Sequence, residues 1–281
     1  MGLEVHDPIR VLLTICAALS FFPQIQQIRS QRSSAGIAIF YLLFNLISAT
    51  EHFAIFFFVL VNLDHSHGTK SLDHLINSPP TAGDWLNLCQ VTVVWIMFLI
   101  LTCFVVYYAL SHPSLIKDVT VIIYTVFLII SVVPEFLDAV TPVFRNEARE
   151  YVVMFFGLVH LKFIHPATTI LSALSVFWQA YQIVRGPLGV LSVSGLAAQA
   201  MMFAVVGLSW FGHINFGSGP LPLSGWYGLY GWPIVDDLIF AGVQVALLLL
   251  VLYKKRAAAR NPPMDESGEA GVPLLEQHQS I

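Results

Sequence analysis

Four ionisable residues lie inside stretches that are otherwise apolar: Glu51 and His52 in "NLISATEHFAIFFF", and Asp236 and Asp237 in "GWPIVDDLIFAGVQ". A charged side chain at the centre of a lipid-spanning helix costs roughly 2.5–3.5 kcal/mol on insertion scales, so each such residue is a candidate for function. Carboxylates there can take up and release protons, and the amides Asn45, Gln199 and Gln244 in similar stretches can hydrogen-bond a polar solute. Each residue also has a structural alternative. Asp236 can be a solvated N-cap where a helix starts, and Glu51 can pair with His52 or a lysine that holds helices together. Asn45 precedes Glu51 by about a turn and a half, so the two do not fully share a helix face.

The elements that must position these groups are set by lipid. Of 281 residues, 57% are hydrophobic and only 11% charged, with a mean hydropathy of +0.75, far from the roughly 25% charge of soluble domains. Apolar runs fall near residues 9–28, 36–61, 85–110, 117–140, 163–184, 191–212 and 233–253, each close to the ~20 residues that cross a hydrocarbon core as a helix. The stretch 151–165, followed by Pro166, is either a lumenal extension of the fifth helix kinked at the proline or a separate interfacial segment. An eight-helix count would move the C-terminus to the other side.

Basic residues give an orientation, since short cytoplasmic loops are rich in Lys and Arg. With the N-terminus lumenal, the cytoplasmic side holds Arg29, Arg32, Lys117 and Arg185, and the tail adds Lys254, Lys255, Arg256 and Arg260. The lumenal side holds Arg10, Lys70, Arg145, Arg149 and Lys162. The opening "MGLEVHDPIR" lacks the basic flank of a signal peptide, so the first run is expected to be a retained helix. Cys16, Cys89 and Cys103 lie within apolar runs and imply no disulfide framework. The polar, Pro- and Gly-bearing stretch 254–281 is expected to be a disordered cytoplasmic tail, and its "EAGVPLL" resembles an acidic dileucine sorting signal with one extra residue of spacing.

One segment recurs. "LSFFPQIQQIRS" at 19–30 and "LSVFWQAYQIVR" at 174–185 share Leu, Ser, Phe, Gln, Gln and Ile in order without a gap, with Pro23 replaced by Trp178 and Gln24 matched by Gln179. Each copy opens a set of three runs, with the fourth run between the sets. That single intervening helix makes the triplets parallel, related by an axis along the membrane normal with a binding site near the midplane between them. The expected fold is therefore an all-α membrane protein: seven transmembrane helices as two parallel three-helix bundles joined by a linker helix. The bundles would occupy 1–110 and 151–253, with the linker in 111–150.

"FFPQIQQIRSQRSSAGIAIFYLLFNLISA" resembles the PQ-loop repeat: Pro-Gln at a helix end, a short basic loop with Ser-Ser-x-Gly, then a helix carrying an Asn. The likeness is specific over 19–50 and degenerate over 174–205. It implies the fold of cystinosin, the vacuolar cationic amino acid exporters and the SWEET sugar transporters, many of which sit in acidic organelles. Pro23 would then hinge the cytoplasmic end of the first helix, with Gln24 satisfying the backbone group that the proline frees; the plainer reading is that Pro23 ends the helix. With Trp178 in the second copy, the first helix would be the mobile one. The resemblance places Asn45 on the substrate cavity and makes Asp237, then Asp236, the match to a proton-coupling aspartate. Gln199 stands where cystinosin-like members have an acid, so coupling would fall to Asp237 or Glu51.

These readings point to a proton-coupled exporter of a small polar solute, an amino acid, from a vacuolar, lysosomal or endosomal compartment to the cytosol. Substrate and gating residues would be Pro23, Gln24, Asn45, Gln179 and Gln199, and proton coupling would rest on Asp237, Glu51 and Asp236. Phe177, Trp178 and Tyr181 would line the exit or anchor the helix at the interface. The alternative is a non-transporting protein of the same fold, acting in lipid homeostasis or as a scaffold or receptor. The loop "DHSHGTKSLDH" carries Asp64, His65, His67, Asp73 and His74, but their spacing matches no defined metal site, and no metal or cofactor is expected. His160, Lys162 and His165 could sense lumenal pH, and Glu135 and Asp138 are expected to be solvated at the lumenal end of the fourth helix. No catalytic motif appears, and the basic residues are too few and scattered for nucleic acid. The partners expected are solute, protons and the bilayer.

Overall fold

In the computed structural model, the described residues are 6–62, 76–77, 79–109, 115–140, 147–212 and 226–260. Among them there are helices and no strands. In order they are α1 (Asp7–Gln31), α2 (Ile39–Phe57, prolonged by a π turn Phe58–Asn62), α3 (Ala82–Tyr108), α4 (Leu115–Ser131) and α5 (Val133–Val140). There follow α6 (Glu147–Val159), a π turn His160–Ile164, α7 (His165–Arg185), α8 (Val193–Ser209), a π turn Tyr227–Gly231 and α9 (Trp232–Arg260). Six helical stretches are long and apolar enough to cross a membrane, and α8 is a shorter apolar helix. All seven expected runs thus become helices, because lipid leaves the backbone no way to satisfy its polar groups except within a helix or a closed barrel.

The stretch 151–165 is an extension of the fifth span. Helix α6 passes through the π turn directly into α7, and one continuous apolar stretch covers Met154–Arg185. Pro166 has no N–H for the carbonyl four residues back, and the turn that widens the helix lies just before it. At the other end, α9 runs on through the basic Lys254–Arg260, and Lys254 Nζ donates to the carbonyls of Ile183 and Gly186 where α7 ends. A lysine there closes orphan carbonyls of a helix C-terminus.

The packing has a reciprocal pattern. In the first triplet α3 packs on α1 and α2, and in the second α9 packs on α7 and α8. Across the seam α2 meets α7 and α1 meets α8. Exchanging α1, α2, α3 for α7, α8, α9 maps each of these contacts onto another, as two like halves about an axis require. Helix α4 lies against α2, outside the seam. At the seam, Phe21 of α1, Phe98 of α3, Phe203 of α8 and Phe240 of α9 form a closed ring, with neighbouring centroids 4.8, 5.4, 4.4 and 6.2 Å apart. Phe177, Trp178 and Tyr181 face outward, exposed, with Trp178 against Phe40 at 5.0 Å. They do not line an exit.

Candidate functional site

Two small cavities meet between the halves, each holding about 30 Å³ of water-accessible space, enough for one or two waters. The first is lined by Asn45, Ser48, His52, Ser172, Asp236 and Asp237 above the Phe98, Phe203 and Phe240 rings. The second shares His52 and Asp237 and reaches Gln90, Trp210 and Trp232. Helix α2 presents Asn45, Ser48 and His52 along one side because residues three and four apart stack on a helix face. These residues fall near the middle of the 24-residue span Ile39–Asn62, so the polar gap sits at mid-membrane depth.

Asn45 Nδ2 donates to the Tyr41 carbonyl at 2.7 Å and to Ser175 Oγ at 3.3 Å, and Ser172 Oγ donates to Asn45 Oδ1 at 3.1 Å. Asn45 therefore stitches α2 to α7 while lining the cavity. Asp236 is buried at the centre of a denser set. His52 Nε2 lies 2.7 Å from its Oδ2, Thr169 Oγ1 donates to Oδ1 at 2.9 Å, and Tyr227 OH lies 3.5 Å from Oδ1. This carboxylate is no solvated cap: the π turn Tyr227–Gly231 precedes α9 and carries Asp236 a full turn inside the helix. Asp237 borders both cavities and is hydrogen-bonded by Trp210.

Glu51 turns away from both cavities. Its carboxylate meets His160 Nδ1 at 2.8 and 3.1 Å, and Phe156 stacks on that imidazole at 3.9 Å. The partner is neither His52 nor a lysine. His160 and His165, expected to face the lumen, are both buried, because the extension of the fifth span packs them against α2 and α9. Glu135 is also buried, not solvated, since Asn62 of the α2 π turn donates to its backbone carbonyl at 3.0 Å and to Asp138 Oδ2 at 3.0 Å. Neither carboxylate oxygen of Glu135 has a hydrogen-bond partner among the described residues.

The repeated glutamines do something sequence reasoning missed. Gln24 Nε2 donates to the Val190 carbonyl at 2.8 Å, and its Oε1 accepts from Ser192 N at 2.8 Å. Gln179 Nε2 donates to the Gly36 carbonyl at 2.7 Å, and its Oε1 accepts from Ala38 N at 2.8 Å. Each glutamine thus clamps the opposite half's loop, in mirrored fashion. Gln24 is not spent on the carbonyl freed by Pro23, and α1 continues past the proline to Gln31 rather than ending there. The loops touch through Val190 N–H to the Ala35 carbonyl at 2.8 Å. Gly189, at φ +52°, sits where a Cβ would collide with that carbonyl. Gly36, at φ +91°, faces the Leu188 carbonyl in the same way. Counting by the clamp, the loops are offset by 154 residues, which makes Gln199 the equivalent of Asn45. Gln199 is buried, lines neither cavity, and its Nε2 lacks a hydrogen-bond partner among the described residues. The loop cluster of Asp64, His65, His67, Asp73 and His74, and the sorting-signal stretch at 269–275, lie outside the described residues.

The proline, the clamp glutamine, the glycine turn and the Asn-bearing helix fall together in one segment. Residues 11–64 match the family model of the PQ loop repeat. The match spans α1, the Gly36 turn and α2, which supply the Gln24 clamp and one wall of the cavity. No curated protein and no solved structure matches the chain.

The residues that sequence reasoning missed are Thr169 and Tyr227; His160 and His165 were singled out, but as sensors of lumenal pH and not as neighbours of Glu51 and Asp236. A signal was present for the two histidines: five residues apart in an apolar run, they have the i to i+5 spacing of a π turn, the helix irregularity often found at functional sites.

Proposed function

We propose that this multi-pass membrane protein is a proton-coupled transporter that exports a small polar solute, an amino acid, from an acidic organelle to the cytosol, with its N-terminus lumenal and its C-terminus cytoplasmic. The observation that carries this reading is the polar gap at mid-membrane depth, walled by both halves and bordered by Asp237. A gap with room for only a water or two, latched at both ends, suits a closed, solute-free intermediate of an alternating-access cycle, which widens to admit the solute. On the cytoplasmic side the Phe ring and the two glutamine clamps close it. On the lumenal side the His52–Asp236 contact ties α2 of the first half to α9 of the second.

The clamps consist of four hydrogen bonds at 2.7–2.8 Å. At about 0.5–1.5 kcal/mol each, they bias the cytoplasmic side closed by about 2–6 kcal/mol, the scale on which a ligand shifts a two-state equilibrium. Asp237, with Asp236 beside it and Glu51 on the far face of α2, carries the coupling proton. Its neutralisation removes a charge from the gap as the lumenal side closes over the solute. Pro23, two residues beyond Phe21 in α1, supplies the weak point at which that helix yields and carries Phe21 and Gln24 away from the second half.

One observation favours the second reading, a non-transporting PQ-loop protein acting in lipid homeostasis or as a scaffold or receptor. Asn45, the amide best placed for a solute, already has its hydrogen-bonding groups engaged by Tyr41, Ser172 and Ser175. Uptake by proteoliposomes under an imposed pH gradient separates the two. Flux of an amino acid that Asp237→Asn abolishes supports transport, and absence of flux across a broad solute panel supports the alternative.

A further inference from the structure

The transport reading leaves His165 without a task. Its ring is fully buried, and neither nitrogen has a hydrogen-bond partner among the described residues. Yet Nε2 lies 3.3 Å from Asp236 Oδ2, on the same oxygen that His52 Nε2 approaches at 2.7 Å. The three donor atoms lie within 4.8 Å of one another. They come from α2, α7 and α9, so they span both halves.

We propose that His52 Nε2, His165 Nε2 and Asp236 Oδ2 form a binding site for a divalent transition-metal ion of the zinc class. The donor set decides the class: two imidazoles and a carboxylate suit zinc and its transition-metal neighbours, whereas calcium and magnesium demand oxygen shells. The spacing fits as well. Ligand bonds of about 2.0–2.2 Å in a tetrahedral site put donor atoms roughly 3.3–3.5 Å apart. One pair already has that separation, and the His52–Asp236 pair reaches it by opening less than about 1 Å.

The surroundings supply what a metal site needs beyond its ligands. Thr169 donates to Asp236 Oδ1, with Tyr227 beside it, which orients the carboxylate and leaves Oδ2 for the ion. His52 and Asp236 also line the first cavity, so a water there can complete a fourth position. Asp237, bordering the same space, offsets the charge that a dication brings into a low-dielectric seam. The ion gives the buried His165 nitrogen the partner it lacks. Bound, it holds α2 to α7 and α9, so occupancy keeps the halves together at this end. The site stands on geometry independent of the transport reading, and its test needs no flux measurement.

The test uses the full chain in detergent micelles at a fixed neutral pH, stripped with chelator and titrated with zinc chloride alone. The expected result is one equivalent of zinc per chain by elemental analysis, with a Kd of about 1 µM or tighter by calorimetry. Cobalt(II) in its place should give the intense visible bands of a four-coordinate site. His165→Gln and Asp236→Asn should each weaken binding at least tenfold and abolish the cobalt spectrum, and Thr169→Val should weaken it by about 10–100-fold. Alanine at His65, His67 and His74 together should change nothing. Substoichiometric zinc, a six-coordinate cobalt spectrum in the wild-type protein, or loss of binding in the loop variant with retention in His165→Gln would each overturn the proposal. Should His165→Gln fail to fold, the wild-type cobalt spectrum and the loop variant still decide.

Discussion

Replacing Gln24 with leucine tests whether the cross-clamp holds the halves together. The substitution keeps a side chain of similar size and removes both hydrogen bonds, leaving the Val190 carbonyl and the Ser192 N–H unpartnered. Val190 is fully buried and Ser192 is 3% exposed, so water does not replace the lost partner. Each buried polar group left unpaired costs about 1–3 kcal/mol, so the two together cost about 2–6 kcal/mol. At roughly 2–4 °C per kcal/mol for a chain of this size, the melting temperature in detergent should fall by at least about 4 °C. Tryptophan fluorescence during heating reads it. Gln26, exposed on the same helix, is the control, and leucine there should stay within about 0.5 kcal/mol of wild type. Gln179→Leu should behave like Gln24→Leu. The double variant should lose less than the sum, because the Val190–Ala35 hydrogen bond makes the two loops one body. If Gln24→Leu melts with Gln26→Leu, the clamp is not what holds this end closed.

Other outcomes follow from the same geometry. Gly189→Ala should destabilise by more than the roughly 1–2 kcal/mol of the left-handed backbone alone, since its Cβ meets the Ala35 carbonyl, and the same melting assay reads it. Gln199→Leu should be neutral or stabilising and leave uptake unchanged, because its buried Nε2 is unpartnered and it lines neither cavity. Pro23→Ala restores one backbone hydrogen bond to an already continuous helix, so stability should hold or rise while uptake slows. Faster uptake in that variant would count against a hinge at Pro23.

Much of the architecture was legible because lipid makes span length a direct property of composition. The runs at 9–28 and 85–110 became α1 and α3, and the ungapped match of 19–28 to 174–183 announced the paired halves. Helix rotation was not legible. In a span that is apolar nearly all round, nothing in the residue order says which face meets protein, so Glu51 seemed free to pair with His52 when it faces His160. Depth was obscured by the π turns. Each adds a residue to the helical register, and His160, His165 and Asp236 follow them or lie within them, so all three were read nearer the surface than they are. Gln24 was read as a partner of its own helix because a clamp onto a carbonyl 166 residues away leaves no local pattern. Glu135 was assigned to solvent because its burial depends on Asn62, in another span.

The central claim is that a polar gap between two like halves, bordered by Asp237, carries a solute with a proton. The most direct measurement is uptake of labelled amino acids by proteoliposomes holding the purified chain, with and without an imposed pH gradient, in the wild-type protein and in Asp237→Asn. The expected result is uptake of at least one amino acid that needs the gradient and falls to the protein-free background in Asp237→Asn. Uptake that ignores the gradient, or an Asp237→Asn protein that accumulates solute as the wild type does, would contradict the account.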